Sequence, residues 1–216
     1  MENATSNQFW IFKKPFSVIA GAALLLNFFW ILVEGKAGSF LQINALVSEP
    51  VWQFFRFYTM LGEGWSLLVV CVVLVFVKYR YALAGLISFA VGSALSSILK
   101  HTLFSGMLRP LAYFGELDIA IQTFSGVELH HYNTFPSGHS ITVFSMFSLL
   151  AIITKSQWGY LWAVLAILGI FSRVAICLHF VPDITAGALI GWLSTWFAWS
   201  MAVSFKKPAL DGRLSI

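Results

Sequence analysis

Charge is nearly absent from long stretches of this chain, and that limits its possible folds more than any other feature. Six apolar runs can be read, approximately Phe16–Val33, Gly64–Val77, Tyr81–Leu99, His139–Thr154, Trp158–Leu178 and Asp183–Phe205. Crossing the hydrocarbon of a bilayer takes about 20 apolar residues in a helix, and all but the short second run come near that length. Of 216 residues, 59% are hydrophobic and 10% charged, whereas a soluble domain carries about 25% charged residues. So little charge could not clothe a protein of this size in water. The expectation is an all-α, polytopic membrane helical bundle of six transmembrane helices, forming one domain over residues 1–216.

The approach to the short second run, Gln42–Leu61, mixes Trp52, Phe54, Phe55, Phe57 and Tyr58 with Glu49 and Arg56. It reads as an amphipathic helix lying at the outer-face interface, broken from the span by Gly62-Glu63-Gly64. The first run is long for a secretory signal and no small-x-small cleavage site follows, so it reads as a retained helix. Gly85, Ser88, Gly92 and Ser96 recur at helical spacing in the third run, where small residues let membrane helices approach closely. Trp192, Trp196 and Trp199 make a comparable stripe of lipid or bundle contact.

Basic residues set the orientation. Lys13 and Lys14 precede the first run, Lys78 and Arg80 join the second and third, Lys155 joins the fourth and fifth, and Lys206, Lys207 and Arg213 follow the sixth. With six spans all of these fall on one side, the cytoplasm, together with both termini. Glu34, Glu49, Glu63, Glu116, Asp118, Glu128 and Asp183 fall on the other. The net charge of +4 is not gathered into a basic stripe, which argues against nucleic acid as a partner. Cys71 and Cys177 lie within apolar runs and read as small buried hydrophobes. Compactness and the lack of a targeting extension lead us to expect a bacterial inner (cytoplasmic) membrane.

The charged groups that topology leaves unexplained gather at one level, the outer boundary. Lys100 ends the third run, Arg109-Pro110 follows in the long connection His101–Ser137, and Pro136-Ser137-Gly138-His139 opens the fourth run. Ser172-Arg173 and His179 close the fifth, and Asp183 opens the sixth. Arg173 lies within an apolar run, where a charge is costly unless it faces a partner or a wet cavity. Three cations at one level suit a phosphate, whose oxygens match guanidinium forks. A helix N-terminus beginning Pro-Ser-Gly adds backbone amides, and the Ser137 hydroxyl adds a donor. Two histidines could divide the work, one attacking phosphorus and the other protonating the departing alkoxide. Asp183 falls within reach of the far ring nitrogen of His179 and would fix its tautomer.

Lys100…Arg109-Pro110, Pro136-Ser137-Gly138-His139 and Ser172-Arg173-x5-His179-x3-Asp183 together resemble the three motifs of the type 2 phosphatidic acid phosphatase superfamily, over about residues 60–205. The resemblance implies a membrane phosphatase without metal or other cofactor, acting on phospholipid or polyprenyl phosphates. It implies His179 as the nucleophile forming a phosphohistidine, Asp183 as its partner and His139 as general acid and then base. It also implies Lys100, Arg109, Ser137, Gly138 and Arg173 as the phosphate ligands. In one respect the chain departs from the pattern: eight residues separate Lys100 from Arg109, where the family usually has six. Nine positions of unbroken helix turn about 900°, so both can face one phosphate only if the helix breaks, and Ser105-Gly106 is a suitable place.

Other readings compete. A metal-dependent hydrolase could use Glu128, His130, His131 and His139, although their spacing is irregular for zinc. A lipid phosphotransferase would use the same phosphohistidine with another acceptor. A non-catalytic anionic-lipid binding or transport protein would also bury charge, but its charges belong near the midplane rather than at one face. The identity of the lipid and the oligomeric state are not encoded in these motifs.

Overall fold

The computed structural model describes residues 15–214, and within them every regular element is helical. Lys13 and Lys14, used above for orientation, lie outside the described residues. Eight α-helices follow in order: α1 (Pro15–Leu46), α2 (Glu49–Tyr58), α3 (Gly64–Val75), α4 (Tyr79–His101), α5 (Pro110–Glu116), α6 (Gly138–Ile153), α7 (Gly159–Ala175) and α8 (Val181–Ser204). By length and composition, α1, α4, the stretch Ser156–Ala175 and α8 can each cross a membrane, and α2 with α3 passes as a pair bent by 54°. α6 is apolar but has 16 residues. At 1.5 Å per residue it spans about 24 Å, less than a hydrocarbon core of about 30 Å.

The apolar runs therefore reappear as helices, with shifted boundaries. α1 continues past the expected end of the first run and is broken at Gly35, whose φ of 66° no continuous helix allows. The aromatic segment expected from Gln42 is divided, its first residues finishing α1 and the rest forming α2. Ser48 in extended conformation and Pro50 in the first turn set that start. The connection between α4 and α6 holds the short helix α5, again opened by a proline, Pro110.

α6 is the axis of the bundle, with every residue from Ser140 to Leu149 buried. It packs against α8, α7 and α4, while α1 packs on α7 and α3 on α4. The small residues of α4 make this possible. A Cβ on Gly85 would lie 2.5 Å from the Cys71 sulfur, and one on Gly92 would lie 2.7 Å from Ile141. Ser88 bonds Thr195 across the seam at 2.8 Å. α8 meets α6 still more tightly, since a Cβ on Gly191 would fall 2.4 Å from the Ile141 carbonyl oxygen. Outward, Leu26, Phe29, Val33, Val72 and Phe197 are exposed, as befits side chains that face lipid rather than water. Both cysteines are buried thiols.

Candidate active site

Three chain segments, each shaped by its own sequence, meet at one end of the bundle. α7 ends at Ala175, and the backbone then folds back so that the amides of Leu178 and His179 both donate to the Arg173 carbonyl, at 3.0 and 3.1 Å. That turn points His179 inward, 1% exposed. Phe180 precedes α8, and the Asp183 carboxylate accepts from the Phe180 amide at 2.8 Å, capping the helix start. A backbone bond from the Ser137 amide to the Asp183 carbonyl, at 3.1 Å, ties the start of α6 to this corner.

The long connection supplies the third segment. α4 stops at His101, and the chain reverses through Gly106, whose φ of 75° suits glycine. The break thus lies between Lys100 and Arg109, as their spacing requires, and both side chains line one cavity. Arg109 is braced by three carbonyl contacts: its amide donates to His131 at 2.8 Å, Nε to Tyr132 at 2.9 Å and Nη1 to Leu178 at 3.2 Å.

The cavity holds about 510 Å³, and Lys100, Arg109, Gly138, His139, Arg173 and His179 share its wall. Arg173 is 5% exposed. Its Nη1 donates to the Thr59 hydroxyl at 2.8 Å, while its Nε is buried with no partner. An unpaired guanidinium N–H in a cationic cavity is a ready donor for an anion, since leaving it unmet is costly. A second, largely apolar groove of about 370 Å³ runs between α3, α4 and α6 past Leu67, Phe89, Gly92 and Ile141. Lys100, Gly138 and His139 belong to both spaces.

His179 is held by a residue that sequence reasoning missed. Thr134, 1% exposed, donates its hydroxyl proton to Asp183 and lies 3.3 Å from Nδ1 of His179. Asp183 itself stands 3.4 Å from the same nitrogen. A hydroxyl has one proton to give. Having given it to Asp183, Thr134 accepts from Nδ1–H, so the lone pair of His179 sits on Nε2. Burial first, then the charges of Arg173, Arg109 and Lys100, push this imidazole well below its ordinary range. It is therefore neutral near pH 7.

A second unforeseen partner is Glu63, whose carboxylate meets Nε2 of His139 at 2.9 Å. A charge between two glycines just ahead of an apolar run was the available signal. A third is Lys36, whose ammonium lies over the rings of Tyr113 at 4.1 Å and Phe180 at 4.6 Å, docking α1 just past its break at Gly35 on α5 and the start of α8. Ser137 departs from expectation. It is fully buried and does not line the cavity; its oxygen accepts from the Ser140 amide at 3.4 Å and from the Ser140 hydroxyl at 2.9 Å. The sequence reading gave that hydroxyl to phosphate, but Ser137 is buried behind the helix start, where its oxygen caps the first turn. His130 lies at the rim of the cavity, while no group of three or more His, Cys, Asp or Glu converges among the described residues.

A helical membrane protein that brings the imidazoles of His139 and His179 together with Lys100, Arg109 and Arg173 in the wall of one cavity is an arrangement suited to phosphate chemistry. The family model of the PAP2 superfamily matches residues 79–207, and the chain belongs to that superfamily, of type 2 phosphatidic acid phosphatases. Among solved structures it is similar to LpxE of Aquifex aeolicus, with a TM-score of 0.65 and 21% identity over 74% of this chain and 91% of that one. It is also similar to the PAP2-type phosphatidylglycerolphosphate phosphatase of Bacillus subtilis, with a TM-score of 0.60 and 20% identity over 88% and 97% of the two chains. The bacitracin transport permease protein BcrC of Bacillus licheniformis is 43% identical over 65 residues. That match takes in 30% of this chain and 32% of the relative, so about a third of its length is spanned.

Proposed function

We propose that this protein is a lipid phosphatase that hydrolyses phosphate monoesters or diphosphates carried on a lipid, through a phosphohistidine at His179. What carries the reading is a neutral, buried imidazole among Lys100, Arg109 and Arg173, in a cavity it shares with His139. The three cations and the start of α6 at Gly138 grip the phosphate oxygens. Nε2 of His179 attacks phosphorus, forming a P–N bond as the P–O bond to the lipid breaks. His139 gives its proton to the departing oxygen. Neutral His139 then takes a proton from water, whose oxygen attacks phosphorus. The P–N bond breaks, and inorganic phosphate leaves. Positive charge grows on His179 during the first step, and Asp183, acting directly and through Thr134, balances it. No step calls on a metal ion.

The groove beside His139 supports a lipid as the leaving group. Its apolar wall leads away from the polar cavity and into the bundle, a natural path for a polyprenyl or acyl chain. Phosphatidic acid, phosphatidylglycerol phosphate, undecaprenyl diphosphate and lipid A phosphates are candidate substrates. One of the structural relatives is a phosphatidylglycerolphosphate phosphatase. We infer further that six helical passes place this cavity at the outer face of a bacterial inner membrane with both termini in the cytoplasm. Lys78, Arg80, Lys155, Lys206 and Lys207 then keep to the cytoplasmic side. The test is phosphate release from purified protein across those lipids with chelator present. His179→Ala should insert normally and release none; substantial turnover by that variant removes His179 from its role.

A further inference from the structure

Glu63 stands where the polar cavity and the apolar groove meet, and it lines both. It lies outside the residues 79–207 that match the family. Its segment is fastened across the mouth of the site at several points. Gly62 lies flat against the imidazole of His139, so that a Cβ there would come within 2.9 Å of the His139 Cβ and 3.0 Å of its Cδ2. Thr59 takes the Nη1 of Arg173 at 2.8 Å. A Cβ on Gly64 would touch the Phe89 ring at 3.1 Å. Between these contacts the Glu63 carboxylate, with its side chain 48% exposed, accepts from or shares a proton with Nε2 of His139 at 2.9 Å.

We propose that Glu63 is a placeholder for substrate: its carboxylate occupies the position on His139 that the bridging oxygen of a lipid phosphate must take, and the arriving phosphate displaces it. The inference rests on His139 being the group that protonates that oxygen. A carboxylate oxygen and a phosphate ester oxygen are alike as acceptors toward an imidazole N–H. They cannot both sit at one nitrogen, and their charges repel. Lys100 on α4, Arg109 before α5, Arg173 on α7 and His179 before α8 face the same space. Of these, the cations Lys100, Arg109 and Arg173 attract the more highly charged phosphate more strongly than the single carboxylate, which favours the exchange. The half-exposed Glu63 side chain has the open cavity to swing into. Until phosphate arrives, the pair keeps His139 oriented and closes the junction between groove and cavity.

The test is Glu63→Gln, which keeps the size of the side chain and its ability to bond His139 but removes the competing charge. Affinity for inorganic phosphate is measured by phosphorus NMR titration of the full-length, detergent-solubilised protein, independently of turnover. Glu63→Gln should bind phosphate roughly tenfold more tightly than wild type, a change that like charges about 4 Å apart can exert in a partly solvated site. KM for a lipid phosphate should fall by a similar factor while kcat changes less. Glu63→Ala should tighten phosphate binding in the same direction. Wild-type phosphate affinity in both variants overturns the placeholder and leaves the phosphatase reading intact. A loss of kcat at constant KM in both variants also overturns it, because that pattern marks a group used in the chemistry. No phosphate binding by the wild type overturns both proposals.

Discussion

Replacing Thr134 with valine should cripple turnover, although Thr134 touches no substrate in the proposed reaction. Valine keeps the shape of threonine and fills the same buried space, so the change removes one hydroxyl and little else. Asp183 then retains the Phe180 amide at 2.8 Å but loses its other short donor. His179 keeps its contact with the main chain of residue 134, but the carboxylate 3.4 Å away is long for a hydrogen bond and no hydroxyl bridges the two. A hydrogen bond to a charged group contributes about 1.5–3 kcal/mol. The demand on it is greatest as His179 gains positive charge in the transition state, and about 1.4 kcal/mol is a factor of ten in rate. Thr134→Val should therefore lower kcat/KM by roughly ten- to a hundredfold. Thr134→Ser, which restores the hydroxyl, should stay within a few-fold of wild type. The assay is phosphate release from a lipid phosphate in mixed micelles, with each variant's thermal unfolding recorded beside it. A valine variant that keeps wild-type kcat/KM with an intact fold would refute the relay from His179 through Thr134 to Asp183.

Four further outcomes follow from the packing and the charges. Gly62→Ala places a methyl 2.9 Å from His139 and should reduce kcat about tenfold or more by moving that ring, whereas Gly115→Ala, with open space around it, should be silent in the same kinetics. In the proposed reaction the depressed His179 imidazole attacks when neutral, so kcat/KM should hold as pH falls through 6.5, its ordinary value, and drop only at lower pH; a limb at or above 6.5 assigned to His179 would contradict this. The same sign applies to stability, because the unfolded chain takes up a proton below about pH 6.5 that the buried ring resists, so thermal unfolding should come earlier as pH falls below that value. Gly191→Ala drives a methyl into the Ile141 carbonyl oxygen at 2.4 Å and should cost about 1–3 kcal/mol of stability, read as a lowered unfolding temperature with little change in KM.

Glu63 and Thr134 mark the limit of what the sequence discloses about the site. Lys100, Arg109, His139, Arg173, His179 and Asp183 were legible because each is a charge or imidazole that apolar surroundings cannot otherwise explain. Thr134 carries no charge and resembles any loop hydroxyl until the connection folds beneath α8. Glu63 is separated by 76 positions from the histidine it meets, and only the bend between α2 and α3 brings them together. Ser137 shows the opposite case, a motif residue whose buried oxygen caps its own helix start and lies off the cavity wall.

Hydropathy by itself determined that this chain folds as helices in a membrane, since apolar runs with so few charges can bury their backbone polar groups only within themselves. It also put the ionisable groups near the ends of those runs, because charges are excluded from the hydrocarbon. What only the tertiary structure decided is how those ends meet: the convergence of Lys100 and Arg109 on one cavity with Arg173 and His179, the hydroxyl of Thr134 beside the ring of His179, and the carboxylate that occupies His139. Those contacts join residues far apart in the chain, and no local periodicity or propensity encodes a distance between helices.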